Sequence, residues 1–402
     1  MRISAHARSI QPSLTLQVAA RAAKLRAEGV DVISFGAGEP DFDTPAHIKR
    51  AAEAALERGE TKYTQVAGTP ELREAVAAEL SRAHGLRLGV ENVIVSVGAK
   101  HSLFNLFLAL LDPGDEVVIP APCWVSYPEI VTLVGGTPVI LETRAEEGYR
   151  IDERRLGEVV SHRTRAIVLC SPSNPTGALY DERTLVGVAR VVRERGGPDT
   201  FVVTDDIYRR LVYRGEWSSM ARVAPELLGR LAFVDGVSKT YAMTGWRIGY
   251  CAAPAELIEA MAKLQGQSTT NPASVSQAAA LAALTGPQEP VEEMRREFDR
   301  RRRTMVSRLR EIPDVAVHEP AGAFYAFPDL RAYLGARLPD RDTVIEDDLA
   351  IAQYVLDQAR VAIVPGSGCL APGFERLSYA TSMSNVEEGL RRFATALGAL
   401  RR

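Results

Sequence analysis

Apolar residues along this chain follow two periodicities, and the switches between them mark out its elements. Between about residues 90 and 255, short runs that are apolar at nearly every position alternate with stretches whose apolar residues recur every three or four places. The runs lie at 93–97, 116–120, 166–170, 201–204, 231–234 and 248–252. Hydrophobicity that is almost continuous predicts strands buried on both faces. Strands interleaved with helices predict an α/β unit around a mainly parallel sheet. Ahead of this unit, a loop at 35–42 (Phe-Gly-Ala-Gly-Glu-Pro-Asp-Phe) leads into an Ala-rich helical pattern, with Thr44 as its expected N-cap and Pro45 as its first residue. Beyond it, 290–312 reads as one long charged helix with a buried stripe of Met294, Phe298, Met305 and Leu309, suited to connecting two domains. Short strands at 315–317, 323–327, 362–364 and 376–379, with helices near 346–358 and 385–399, predict a smaller α+β domain. The expected division is a large domain at 46–289 and a discontinuous small one at 1–45 and 290–402.

Composition changes this picture little. The chain has 402 residues, 46% of them hydrophobic, and a formal net charge of −3, so nothing in its charge favours nucleic acid or an anionic membrane. The basic run at 300–303 reads as a solvated helix face. Four cysteines form no CxxC pair and six histidines show no ligand spacing, which speaks against a disulfide framework or a metal site. No apolar run reaches about 18 residues and the first residues have no signal-peptide core, so a cytoplasmic protein is expected.

The chemistry is easier to find once some motifs are excluded. The loop at 36–41 begins like a dinucleotide-binding turn but lacks its third glycine and contains Pro40. No P-loop and no GxSxG elbow occur. What stands out is 235–250, Asp-Gly-Val-Ser-Lys-Thr-Tyr-Ala-Met-Thr-Gly-Trp-Arg-Ile-Gly-Tyr. Here Lys239 follows a buried strand, so it projects into the crevice where α/β folds hold ligands, and Arg247 eight residues later suits a phosphate. Partial desolvation and neighbouring cations would make such an amine nucleophilic.

This stretch resembles the cofactor-lysine motif of the class I and II aminotransferases, in particular the bacterial aspartate aminotransferase branch, and the resemblance extends over nine-tenths of the chain. It implies the fold of the type I pyridoxal-phosphate enzymes, with Lys239 joined to the cofactor as a Schiff base. By the same resemblance Asn174, in Ser-Pro-Ser-Asn-Pro-Thr-Gly at 171–177, and Tyr208, in Thr-Asp-Asp-Ile-Tyr at 204–208, bond the cofactor's phenolic oxygen. Asp205 pairs with the pyridine nitrogen, and a buried carboxylate there favours the protonated ring. Gly98, Ala99 and Lys100, where a strand turns into a helix, match the phosphate-binding turn, as backbone amides at a helix start suit an anion. Trp124 matches the residue stacked on the ring, and Tyr63 the tyrosine that reaches a neighbouring subunit's phosphate, which implies a homodimer with shared sites. For the substrate, the resemblance implies Arg376 on the α-carboxylate, with Gly38, Trp124 and Asn174 nearby. Lys100, Ser13 and Thr15 match the set that relatives turn toward a distal carboxylate.

Three positions depart from the family's pattern. Gly236 stands where some relatives carry a phosphate-touching serine, a contact then lost or passed to Ser238 or Thr240. Asp206 replaces the usual Glu, and Ala99 a frequent Gly. The implied reaction is a ping-pong amino transfer, aspartate to 2-oxoglutarate first, with prephenate the alternative acceptor. A β-lyase or a cyclopropane-forming synthase on the same scaffold stays open. A non-enzymatic regulator is not expected, because only about 30 residues precede the first motif.

Overall fold

A computed structural model describes residues 2–4, 8, 14–339 and 343–401. Its centre is a seven-stranded sheet. In chain order its strands are β1 (Val93–Ser96), β2 (Glu116–Ala121), β3 (Thr137–Glu142), β4 (Thr164–Cys170), β5 (Phe201–Asp205), β6 (Leu231–Gly236) and β7 (Gly249–Ala252). Across the sheet they run β1-β7-β6-β5-β4-β2-β3, with β7 antiparallel to both neighbours and the other pairs parallel.

The continuous hydrophobicity of the strands has a direct cause. Successive side chains point to opposite faces, and both faces are dry. On β4, Ile167 and Leu169 join one apolar core while Ala166, Val168 and Cys170 join another. Helix α1 (Ala99–Leu110) packs Leu103, Leu106 and Phe107 onto the second face. β3 has no counterpart among the expected strands. It lies at one edge of the sheet with only Leu141 buried, and its apolar run at 139–141 is short.

A third core gathers Phe298, Met305 and Leu309 of helix α2 (Glu289–Arg310) with Ile33, Phe35, Phe324, Tyr325, Val355 and Phe393. Met294, by contrast, packs into the first core, so α2 reaches from one core to another. Three short strands, β8 (Tyr325–Ala326), β9 (Val364–Pro365) and β10 (Glu375–Ser378), form an antiparallel sheet in the order β8-β10-β9. Helices Asp348–Ala359 and Met383–Ala399 stand where the periodicity put them.

Two local expectations are corrected. Pro45, not Thr44, is the N-cap of helix Ala46–Glu57 and makes no side-chain cap. The Thr44 hydroxyl is engaged elsewhere: it donates to the Ala242 carbonyl at 2.6 Å and accepts from Trp246 Nε1 at 3.0 Å. The basic run is not a uniformly solvated face either. Arg300 and Arg303 are exposed, but Arg301 and Arg302 are buried, Arg301 against Asp41 and Glu297 and Arg302 against Asp299 and Glu319. A buried guanidinium needs such partners, and the Arg301–Asp41 pair ties α2 to the 35–42 loop.

Candidate active site

The ends of β4, β5 and β6, the start of α1, the 35–42 loop and β10 converge on a cleft of about 300 Å³. That is the edge where parallel strands leave a crevice. Gly38, Ala99, Lys100, Trp124, Asn174, Asp205, Tyr208, Lys239, Arg247 and Arg376 all line it.

Lys239 sits in the turn after β6 and its Nζ donates to the Gly38 carbonyl at 2.6 Å. Burial lowers its pKa to about 8, helped by Arg376 and Arg247 and opposed by Glu39 and Asp205. The amine is therefore partly neutral near physiological pH and can act as nucleophile or proton carrier.

Asp205 is the last residue of β5 and is buried. Its Oδ2 accepts from the Tyr127 hydroxyl at 2.6 Å and its Oδ1 from the Ile207 N–H at 3.3 Å. Burial raises its pKa to about 6 against the effect of those bonds. Both hydrogen-bond partners are neutral, so the carboxylate is one that a cationic ligand group would stabilise. Asp206 is not among the cleft residues; it accepts from the Thr204 hydroxyl at 2.6 Å.

At the cleft's other end, Gly98 turns β1 into α1 with φ of +90°. A Cβ there would fall 2.6 Å from Arg247 Nη2, so glycine lets the arginine lie against the turn. At Gly249 on β7 a Cβ would lie 2.1 Å from the Ala99 nitrogen, so that glycine lets the strand pass under the helix start. The N–H groups at the start of a helix lack an i−4 partner, and with Arg247 beside them they suit an anion. Arg247 itself bonds the Thr244 carbonyl at 2.8 Å. Lys100 Nζ lies 4.8 Å from the centre of the Trp124 ring, and burial, then Arg247, lowers its pKa.

Arg376 is buried on β10, with Nη1 donating to Asn174 Oδ1 at 3.1 Å and Nη2 to the Gly36 carbonyl at 3.2 Å. Among the described residues its buried Nε has no hydrogen-bond partner. A guanidinium held this way suits a small carboxylate.

One expected residue is not gathered here. Tyr63 is 89% exposed, away from the cleft of its own chain. Ser13 and the side chain of Thr15 lie outside the described residues. Of the two residues expected to replace a serine at 236, Ser238 lines the cleft and Thr240 does not. Two functional positions were missed: Tyr127, which bonds Asp205, and Tyr325, whose hydroxyl is 2.9 Å from that of Tyr208. Tyr127 lies three residues from Trp124, and that proximity was the available signal; Tyr325 carried none.

Among the described residues no helix is long and apolar enough to cross a membrane and no side-chain cluster could hold a metal ion. Residues 30–393 match the family of aminotransferases class I and II. The aspartate/prephenate aminotransferase of Nitrosomonas europaea is 44% identical over 398 residues, 99% of this chain and all of that protein. The aspartate aminotransferase of Geobacillus stearothermophilus is also 44% identical, over 98% of each chain. The crystal structure of the Rhizobium meliloti aspartate aminotransferase covers the whole of both chains with a TM-score of 0.95 at 44% identity. A full-length match of sequence and fold leaves one conclusion: this chain belongs to the class I and II aminotransferases, enzymes that move an amino group from an amino acid to an oxo acid.

Proposed function

We propose that this aminotransferase holds pyridoxal phosphate covalently at Lys239 and transfers the amino group of L-aspartate to 2-oxoglutarate in a ping-pong exchange. The observation that carries this reading is one cleft lined by Lys239, Asp205, Tyr208, Asn174, Arg247 and Arg376.

The residues fit the cofactor at each of its ends. Asp205, buried and without a cationic hydrogen-bond partner, suits a protonated ring nitrogen. Arg247 and the Gly98–Ala99–Lys100 turn suit the phosphate, and Tyr208 and Asn174 the ring oxygen. Trp124 offers an aromatic face to the ring. When bound, pyridoxal phosphate supplies an electron-withdrawing ring that weakens the Cα–H bond of an attached amino acid. Asp205 would favour the protonated form of that ring. Arg376 grips the substrate's α-carboxylate and so fixes which Cα bond is presented. Lys239 Nζ would serve as the base that takes the proton from the substrate's Cα and as the acid that gives it back. Before the cofactor is bound, the Gly38 carbonyl holds the Lys239 amine in the cleft.

Aspartate is favoured by the relatives' names and by Lys100, a cation poised over Trp124 that suits a second carboxylate. Ser13 and Thr15 complete that set in this proposal. The aspartate/prephenate name of the Nitrosomonas europaea relative supports prephenate as a second acceptor. An exposed Tyr63 supports a homodimer in which it reaches the partner's cofactor. The same reading divides the chain into domains at 46–289 and at 1–45 with 290–402. A cytoplasmic location completes the proposal, supported by four free cysteines.

The test is optical. The protein loaded with pyridoxal phosphate is expected to absorb visible light, to bleach with L-aspartate and to recover with 2-oxoglutarate, and Lys239→Ala to lose this cycle and turnover together. A colour that aspartate does not move contradicts the substrate. Steady-state transamination retained by Lys239→Ala contradicts the role of the lysine.

A further inference from the structure

Tyr325 touches two of the site's groups from one position. Its ring lies against Arg376, with the guanidinium carbon 4.6 Å from the ring centre, and its hydroxyl is 2.9 Å from that of Tyr208. All three side chains are buried. The contact with Arg376 comes from pairing: β8, which carries Tyr325, is hydrogen-bonded to β10, which carries Arg376, with Tyr325 opposite Ser378. Tyr208 comes from the turn after β5, in the other sheet.

We propose that Tyr325 is a positioning residue with two separable functions: its ring sets the plane of Arg376 for the substrate carboxylate, and its hydroxyl strengthens the hydrogen bond that Tyr208 gives the cofactor. The proposal rests on the cofactor reading above.

The first function follows from what holds Arg376. Its Nη1 and Nη2 are tied to Asn174 and Gly36, while Nε has no hydrogen-bond partner among the described residues. Two bonds at one end leave the flat fork free to tilt. An aromatic face below it removes that freedom and stabilises the cation where water is excluded. Removing the ring is expected to weaken carboxylate binding by about tenfold.

The second follows from counting protons. Tyr208 has one hydroxyl proton to give and lone pairs with which to accept. If it gives that proton to the ring oxygen of the cofactor, the 2.9 Å contact leaves Tyr325 as donor to Tyr208. Hydrogen bonds in such a chain reinforce one another, so Tyr208 becomes the better donor. A better donor draws negative charge off the ring oxygen, and with it support for a proton on the nitrogen held at Lys239. The pH at which that nitrogen loses its proton is thereby lowered.

Two substitutions separate the functions. Tyr325→Phe keeps the ring and loses the hydroxyl; Tyr325→Leu loses both. In the loaded enzyme, the midpoint of the visible absorbance against pH is expected to rise in both variants. The KM for L-aspartate is expected to rise about tenfold in Tyr325→Leu but to stay within about twofold of wild type in Tyr325→Phe. An unmoved midpoint in Tyr325→Phe contradicts the hydroxyl's function, and an unmoved KM in Tyr325→Leu contradicts the ring's. A wild type that takes up no pyridoxal phosphate contradicts the cofactor reading and this inference with it. A coloured wild type that does not use aspartate contradicts only the choice of substrate, and the absorbance midpoint of Tyr325→Phe still decides the inference.

Discussion

Lys239 can attack a carbonyl carbon only after losing its proton, and burial in the cleft brings its pKa down from 10.5 to about 8. A pKa of about 8 means that the neutral fraction reaches one half near that pH and levels off about one unit above it. The rate at which the apoprotein takes up pyridoxal phosphate is expected to follow that curve, as stopped-flow absorbance would record. A rate still climbing toward pH 10 would indicate an ordinary surface lysine. Asp205→Asn keeps the shape of the site but removes the negative charge proposed for the ring nitrogen. Its kcat is expected to fall by about 10²–10³-fold with the cofactor still bound. Arg376→Lys loses the two-pronged grip, and the KM for the amino donor is expected to rise about 10–100-fold, measured in steady state. These residues could be read in the sequence because each sits in a local motif. Tyr127 and Tyr325 could not be read this way: their partners lie 78 and 117 residues away, and only the fold brings them together.

The elements were legible to different degrees, for physical reasons. The six strands buried on both faces show as apolar runs. β3, half-exposed at one edge of the sheet, has only the short run at 139–141 and was not among the expected strands. Arg301 and Arg302 looked solvated because neighbouring arginines are, and because Asp41 and Glu319, which complete their burial, are distant in the chain. The junction of β1 and α1 depends on Gly98, so Gly98→Ala is expected to cost about 1–3 kcal/mol of stability from its backbone conformation alone and to weaken cofactor binding through Arg247. Denaturant titration and equilibrium dialysis would measure the two effects. On β10, Glu375 is buried beside Arg376 with neither carboxylate oxygen hydrogen-bonded, and burial, reinforced by Asp348, holds its pKa well above 4.5. Such a group takes up a proton on folding. Its presence is harmless below the unfolded pKa and destabilising as pH rises past it. Glu375→Gln is therefore expected to match the wild-type melting temperature in acid and to exceed it increasingly above pH 4.5. A constant difference across pH would contradict the assignment.

For the whole molecule, the number of chains that build one site decides whether it works as a dimer. Tyr63 is exposed on its own chain, and the proposal assigns it to the partner's cofactor. Chains carrying Lys239→Ala and chains carrying Tyr63→Ala, expressed together, would then form hybrid dimers in which one of the two sites has both residues intact. Activity above that of either variant alone is expected, and its absence would mean that each chain works with its own residues. The claim beneath all of these is that Lys239 carries the cofactor. Reduction of the loaded protein with borohydride, followed by peptide mass mapping, tests it most directly. The expected result is one cofactor mass per chain, on the peptide containing Lys239; the same mass on another lysine, or on none, would contradict it.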